Sequence, residues 1–329
     1  MKKIICTVLL VALCFCLFVG CSGGNDNVIR LNEVTHSVFY APLYVAIDNG
    51  YFEDEGLTIE LTNGGGADKS MTAVISGQAD VGLMGPEAAI YIYNEGRSDY
   101  PIIFGQLTRK DGSFIVSRQA MPDFKWSDLT GAEILGGRRG GAPAMALEYA
   151  LKKNNLVDGN NIDVNYDVQF DLMTSAFDSG IGDYCTMFEP AASNFVKAGK
   201  GHIVASVGLE AGDMPFTAFM ATKSYLNDNP EKIEKFMRAI KRGMDFVQQN
   251  TSETIAQCIV ESFDGTDVDT LVSAIDSYKN INAYMDTPIM KSEDFDRLQD
   301  VIIEAGVMNV KAPFDKVVDN TFAQRVQGS

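Results

Sequence analysis

The sequence predicts an α/β protein of two equivalent lobes facing one cleft, followed by a helical C-terminal tail. Three observations carry that expectation. From residue 28 to residue 222, short apolar runs alternate with amphipathic stretches, the pattern of mainly parallel strands joined by helices. One stretch is written twice: SGQADVGLMGPEAA at residues 76–89 and SGIGDYCTMFEPAA at residues 179–192, so that Ser76, Gly77, Asp80, Ala88 and Ala89 coincide with Ser179, Gly180, Asp183, Ala191 and Ala192. The match runs back through Ala73 and Ala176 to Asp68 and Asp171, and so covers a helix, a turn and a strand. From Pro230 the pattern is almost entirely helical.

The chain opens with MKKIICTVLLVALCFCLFVGC, two lysines and then an apolar run, the layout of a secretory signal that is too short for an ordinary membrane span. Phe18-Val19-Gly20-Cys21 resembles a lipobox, in which the cysteine is diacylated and becomes the new N-terminus. Residues 1–20 are therefore expected to be removed, Cys21 to carry lipid, and residues 21–27 to act as a flexible tether. Two acyl chains suffice for stable anchoring, so the expected location is outside the cell, on a bacterial membrane.

The first series then reads as strand Val28–Val34, helix Pro42–Asn49, strand Leu57–Thr62, helix Lys69–Ser76, strand Val81–Met84 and a helix Glu87–Tyr93 opened by Pro86, with Ile102–Leu107 and Phe114–Ser117 extended. The second series repeats it: strand Glu133–Leu135, helix Pro143–Asn154, strand Ile162–Val168, helix Leu172–Ser179, strand Tyr184–Met187, helix Ala191–Ala198 and strand His202–Val207. Thr217–Thr222 is again extended. The tail contributes helices Glu231–Asn250, Ser252–Ser262, Asp267–Asn280 and Ser292–Ala305. About 300 residues exceed what one hydrophobic core takes, which agrees with two lobes.

Composition excludes several classes. The net charge is −17, and removing the signal takes away two more lysines and no acids, so nucleic acid is not the partner. Of six cysteines only Cys185 and Cys258 lie beyond Cys21; as a disulfide or as two buried thiols, either state suits an exported chain. His36 and His202 are the only histidines and form no metal-binding pattern, so no metal is expected. No nucleophile–base spacing stands out, and neither a catalytic set nor a cofactor is expected.

Ligands of parallel α/β sheets sit beyond the carboxyl ends of the strands, so the post-strand loops hold the candidates. Asn63-Gly64-Gly65-Gly66-Ala67-Asp68 puts Gly65 and Gly66 where main-chain N–H groups can face a ligand, without the lysine of a nucleotide loop or the spacing of a dinucleotide fingerprint. Gly136-Gly137-Arg138-Arg139-Gly140-Gly141 is its counterpart, and Arg138 is either an anion clamp or a solvated side chain. Glu87 and Glu189 open the two copies of one helix, one register apart; each is a helix-terminal carboxylate or a ligand acceptor. Ser37, Phe39 and Tyr40 follow the first strand, Arg109 lies in the post-strand loop Gln106–Asp111, and Phe188 stands beside Glu189, offering aromatic faces with polar edges.

Ala41-Pro42-Leu43-Tyr44-Val45-Ala46, Gly50-Tyr51-Phe52-Glu53-Asp54-Glu55-Gly56-Leu57, the Gly-Gly-Gly loop, Ser76-Gly77-Gln78-Ala79-Asp80 and Phe188-Glu189-Pro190 together resemble the solute-binding proteins for sulfonates, nitrate and thiamine-pyrimidine precursors. The resemblance spans essentially the whole mature chain. It implies a periplasmic-binding-protein fold of type II with residues 28–110 plus 217–329 as lobe I and residues 111–216 as lobe II. It also implies a monomer that closes on one small solute and delivers it to an ABC permease and its ATPase. An enzyme making the thiamine pyrimidine shares the fold but carries a cysteine-rich motif that is absent here. The post-strand loops offer Glu87, Glu189, Asp68, Tyr40, Tyr184 and Phe188 against Arg109, Arg138 and Arg139. That balance points to a flat, nitrogen-rich heterocycle, with a sulfonate or nitrate-type anion as the alternative.

Overall fold

The computed structural model describes residues 27–327. The expected signal sequence and the expected lipid site Cys21 lie outside the described residues.

Among the described residues, ten strands form two five-stranded sheets. The first holds β1 (Val28–Glu33), β2 (Thr58–Asn63), β3 (Val81–Met84), β4 (Pro101–Thr108) and β10 (Thr217–Thr222), in the order β2-β1-β3-β10-β4. The second holds β5 (Ser113–Ser117), β6 (Glu133–Leu135), β7 (Asp163–Asn165), β8 (Tyr184–Phe188) and β9 (His202–Ser206), in the order β7-β6-β8-β5-β9. The orders correspond place for place, and in each sheet the fourth strand arrives from the other series. β10 runs antiparallel to β3 and β4, and β5 antiparallel to β8 and β9. Each sheet is thus mixed, with four strands running one way as expected and only the crossing strand, which enters from the linker side, running back against its neighbours.

The helices that matter below are α1 (Ala41–Asp48), α2 (Ala67–Ile75), α3 (Glu87–Asn94), α4 (Ala142–Lys153), α5 (Met173–Asp178), α6 (Ala191–Lys197), α7 (Pro230–Gln249) and α8 (Val268–Asn280). The duplicated sequence has a structural cause that they reveal. Gly77 and Gly180 follow the ends of α2 and α5 with φ of 73° and 104°, where a side chain would be strained, and so stop each helix. Asp80 and Asp183 then each accept a hydrogen bond, at 2.9 Å, from the main-chain N–H of Arg30 and Glu133 on the neighbouring strand. Each aspartate main-chain N–H returns a bond to the same residue's carbonyl at 2.8 Å. The shared Ser-Gly-x-x-Asp unit docks a helix–turn–strand onto its sheet in both lobes.

The tail completes the first lobe. On α7, Ile233, Phe236, Met237, Ile240, Met244 and Val247 fall on one face and are buried. Phe236 meets Phe52, Phe104 and Phe219 of the layer beneath, at ring-centroid separations of 5.2, 6.0 and 5.1 Å. Gly243 lets α7 approach α1 so closely that a Cβ there would lie 2.0 Å from the Pro42 carbonyl oxygen.

The lobes meet along an aromatic seam. Phe39 packs against Phe188, Phe216 and Tyr278 at 5.5, 5.8 and 4.9 Å between ring centroids. The Tyr278 hydroxyl accepts from Glu189 N at 2.9 Å and donates to the Gly112 carbonyl at 3.0 Å. The two crossing segments bind each other as well: Met214 N donates to Arg109 O at 2.8 Å, and Lys110 pairs with Asp213.

Candidate functional site

In front of that seam lies a cavity of about 370 Å³ between the lobes. The first lobe contributes Val34, Gly65, Gly66, Asp68, Lys69 and Glu87, and the second Gly137, Arg138, the start of α4 from Gly141 to Ala144, and residues 166–170. Three helices begin at this cavity: α2 after Gly66, α3 after Pro86 and α4 after Gly141, and none of these preceding residues caps its helix with a side chain. The positive ends of three helix dipoles therefore lie at the cavity.

Glu87 is the acid set among these helix ends. It is 2 % exposed, and Oε1 accepts from Ala142 N, the first residue of α4 in the opposite lobe, at 3.1 Å. Oε2 has no hydrogen-bond partner among the described residues. Burial pushes its carboxyl up to about 7, against the downward pull of its own N–H, Ala142 N–H and the Arg138 guanidinium.

The aromatic wall comes from residues just after β7. The Tyr166 hydroxyl donates to Glu148 Oε1 at 2.5 Å, and the Arg139 guanidinium stacks on the Tyr166 ring 3.9 Å from its centroid, which fixes the ring at the cavity edge. Phe170 meets Phe188 edge-on at 5.5 Å. Two ion pairs bridge the mouth, Arg138 Nε to Asp68 Oδ1 and Lys69 Nζ to Asp171 Oδ2, both at 3.6 Å between half-exposed partners. The Tyr91 hydroxyl adds a third tie, donating to Gly140 O at 2.9 Å.

Of the residues expected at the site, Gly65, Gly66, Glu87 and Arg138 line the cavity. The others lie elsewhere. Ser37 Oγ donates to the Glu189 carbonyl, Phe39 is fully buried in the seam, and buried Tyr40 hydrogen-bonds Thr217. Arg109 pairs with Asp286 at 2.8 Å, and Phe188 backs Phe170 without reaching the cavity lining. Glu189 is fully buried, and its oxygens accept from Ser193 N and Ser193 Oγ at 2.8 Å each and from Ser277 Oγ at 3.3 Å. It caps α6 and ties it to α8, so its lone pairs are engaged by protein donors.

Residues 166–170 escape a pattern-based reading because the apolar–polar alternation of Ile162–Val168 looks like one strand, whereas β7 ends at Asn165. The local signal is Asn165 itself, whose Oδ1 accepts from Asp167 N at 3.0 Å and turns the chain. Cys185 and Cys258 are both free thiols, Cys185 buried. Among the described residues no helix is long and apolar enough to cross a membrane, and no group of three His, Cys, Asp or Glu side chains is placed to hold a metal.

Residues 38–254 match the family described as NMT1/THI5 like. The chain belongs to the NMT1/THI5-like family. Within reach of this family, YtlA of Bacillus subtilis (strain 168), whose name proposes a binding protein, is 39 % identical over 298 residues, 91 % of this chain and 89 % of YtlA. A 4-amino-5-hydroxymethyl-2-methylpyrimidine phosphate synthase of Aspergillus parasiticus is 27 % identical over 237 residues, 68 % of this chain and 67 % of that one. Among solved structures, the alkanesulfonate-binding protein SsuA of Xanthomonas axonopodis pv. citri, bound to MOPS, superposes with a TM-score of 0.72 at 14 % identity, covering 89 % of this chain and 98 % of SsuA. The nitrate-binding protein NrtA of Synechocystis PCC 6803 also gives 0.72, at 16 % identity over 92 % of this chain and 88 % of NrtA. The fold of this NMT1/THI5-like chain is therefore that of periplasmic solute-binding proteins, two α/β lobes around a cleft.

Proposed function

We infer that the protein is the extracytoplasmic solute receptor of an ABC importer, anchored through lipid on Cys21, and that it closes on one small, flat, nitrogen-rich heterocycle of the thiamine-pyrimidine-precursor kind. The observation that carries the solute class is the cavity's composition. It sets the buried Glu87 carboxyl and the rings of Tyr166 and Phe170 around a slot of about 370 Å³, a volume suited to a single small ring system. Exocyclic amino groups and ring nitrogens satisfy an acid, and the rings supply stacking faces. The lobe division of residues 28–110 plus 217–329 against 111–216 makes the paired crossings the natural hinge.

A second reading has its own support. Three helix N-termini, of which α4 already gives Ala142 N to Glu87, with Arg138 beside them, suit a sulfonate or nitrate-type anion. An enzyme on this fold is the less favoured alternative, since no nucleophile–base pair lines the cavity. A thermal-shift screen of the purified protein separates these. A ligand at 100 times its dissociation constant stabilises by about 2.7 kcal/mol, so 4-amino-5-hydroxymethyl-2-methylpyrimidine is expected to raise the melting temperature while taurine and nitrate leave it unchanged. The reverse pattern would establish the anion reading, and turnover of a pyrimidine precursor would establish the enzyme.

A further inference from the structure

We propose that Glu87 enters the closed cleft as a neutral carboxylic acid, so that closing the lobes takes up one proton from solvent and the protein holds its solute more tightly as pH falls. The proposal rests on the reading of this cavity as the solute cleft.

Glu87 is the buried acid that spans the two lobes at the cavity. Its main chain opens α3 on the first lobe, and its Oε1 is held by Ala142 N on the second. Oε2 folds back over Gly85, where a Cβ would lie 1.9 Å from it, and finds no partner. The charged and titratable groups around it are engaged elsewhere. Arg138, from the second lobe, directs Nε to Asp68 at the half-exposed mouth. Tyr91, one turn along α3, donates to Gly140 O; Tyr40, from the end of β1's loop, bonds Thr217. Lys69 pairs with Asp171, and Asp68 and Asp167, the other acids lining the cavity, add like charge.

A carboxylate ion in this position would hold a full charge on one cross-lobe N–H and its own amide, which is poor compensation for burial. The neutral acid removes that conflict: Oε1 keeps its bond from Ala142 N and the proton sits on Oε2. Opening the lobes withdraws Ala142 and admits water, returning the group to the ordinary carboxylic-acid range of roughly 4.3. In the closed form burial pushes it up to about 7. The closed state is the tighter proton binder, so it gains population as pH drops through that interval. Between pH 8 and pH 5 the closed-to-open ratio rises on the order of tens-fold.

The test needs no solute. Small-angle scattering of the purified protein from pH 8 to pH 5 reads the lobe closure, and carbon-13 labelling of glutamate carboxyls reads the titration directly. The wild type is expected to become more compact as pH falls, with the Glu87 resonance, identified by its loss in Glu87→Gln, titrating well above the surface glutamates. Glu87→Gln, a neutral isostere, is expected to lose both the resonance and the pH dependence of its radius. Arg138→Met, at a half-exposed position, removes the nearby cation and is expected to move the wild-type midpoint to higher pH. It keeps the proposal testable should Glu87→Gln fail to fold. A radius that ignores pH in the wild type, an equal pH response in Glu87→Gln, or a Glu87 carboxyl that titrates with the surface glutamates would each overturn the proposal. If the heterocycles fail to bind while the proton-linked compaction stands, the solute assignment fails and this inference does not.

Discussion

Glu189 offers the clearest separation between an acid that builds the fold and an acid that binds a solute. Sequence pattern makes it a ligand candidate equal to Glu87, whereas its oxygens accept three hydrogen bonds from Ser193 and Ser277. Glu189→Ala orphans the Ser193 main-chain N–H in the first turn of α6. An unpaired buried donor costs about 1–3 kcal/mol, toward the lower end for half-buried Ser193, and loss of a negative charge at a helix N-terminus adds roughly 0.3–1 kcal/mol, giving an expected destabilisation of about 1–3 kcal/mol. Glu189→Gln retains an acceptor for Ser193 N and gives the hydroxyls a donor, so about 1 kcal/mol or less is expected. Urea unfolding followed by circular dichroism measures both, and calorimetry with 4-amino-5-hydroxymethyl-2-methylpyrimidine measures the affinity. Affinity in the folded Gln variant should stay within about threefold of wild type, about 0.65 kcal/mol. A Glu189→Gln protein of unchanged stability whose binding falls a hundredfold would refute this assignment and return Glu189 to the solute.

Replacing the aromatic wall should weaken binding: Phe170→Ala, at the cavity edge, is expected to weaken calorimetric affinity of the folded protein for the aminopyrimidine by tenfold or more, since stacking contacts of this kind are worth about 0.5–1.5 kcal/mol beyond the area they bury. Asp111, fully buried in the first crossing with only Ser113 as partner to Oδ1 and none to Oδ2, has its carboxyl pushed by burial up to about 7. Because that is above its unfolded value, its contribution to stability is complete below about pH 4 and is lost as pH rises through about 7. Asp111→Asn is therefore expected to flatten the decline in melting temperature between pH 5 and pH 8, and an unchanged slope would discount it. Gly243→Ala forces α7 away from α1 and is expected to cost about 1–3 kcal/mol in urea unfolding, with solute affinity of the folded fraction unaltered.

Much of the architecture is legible in the sequence because periodicity survives translation into burial. Strands Val81–Met84, Glu133–Leu135 and Thr217–Thr222 match β3, β6 and β10 residue for residue, and α7 follows from its apolar stripe. The direction of β5 and β10 is not legible, since a strand reads alike whether it pairs parallel or antiparallel; only the crossing between lobes fixes it. At the site, glycine-rich turns before helices single out Gly65, Gly66 and Arg138, which line the cavity. The acids divide for a reason that spacing alone does not carry: Glu189 has Ser193 four residues on to consume its oxygens, whereas Glu87 has its own N–H and Ala142 N of the opposite lobe. The duplicated Ser-Gly-x-x-Asp motif is conspicuous in sequence because it anchors strands, and its conspicuousness lies apart from the chemistry of the cleft.

The central claim is that one small heterocycle is captured between the lobes at the Glu87 cavity. Titration calorimetry of the purified protein with 4-amino-5-hydroxymethyl-2-methylpyrimidine, with small-angle scattering before and after saturation, tests it most directly. The expected result is one site per chain, a smaller radius at saturation, and no heat from taurine or nitrate. Binding of the anions alone, or saturation by the heterocycle at an unchanged radius, would contradict it.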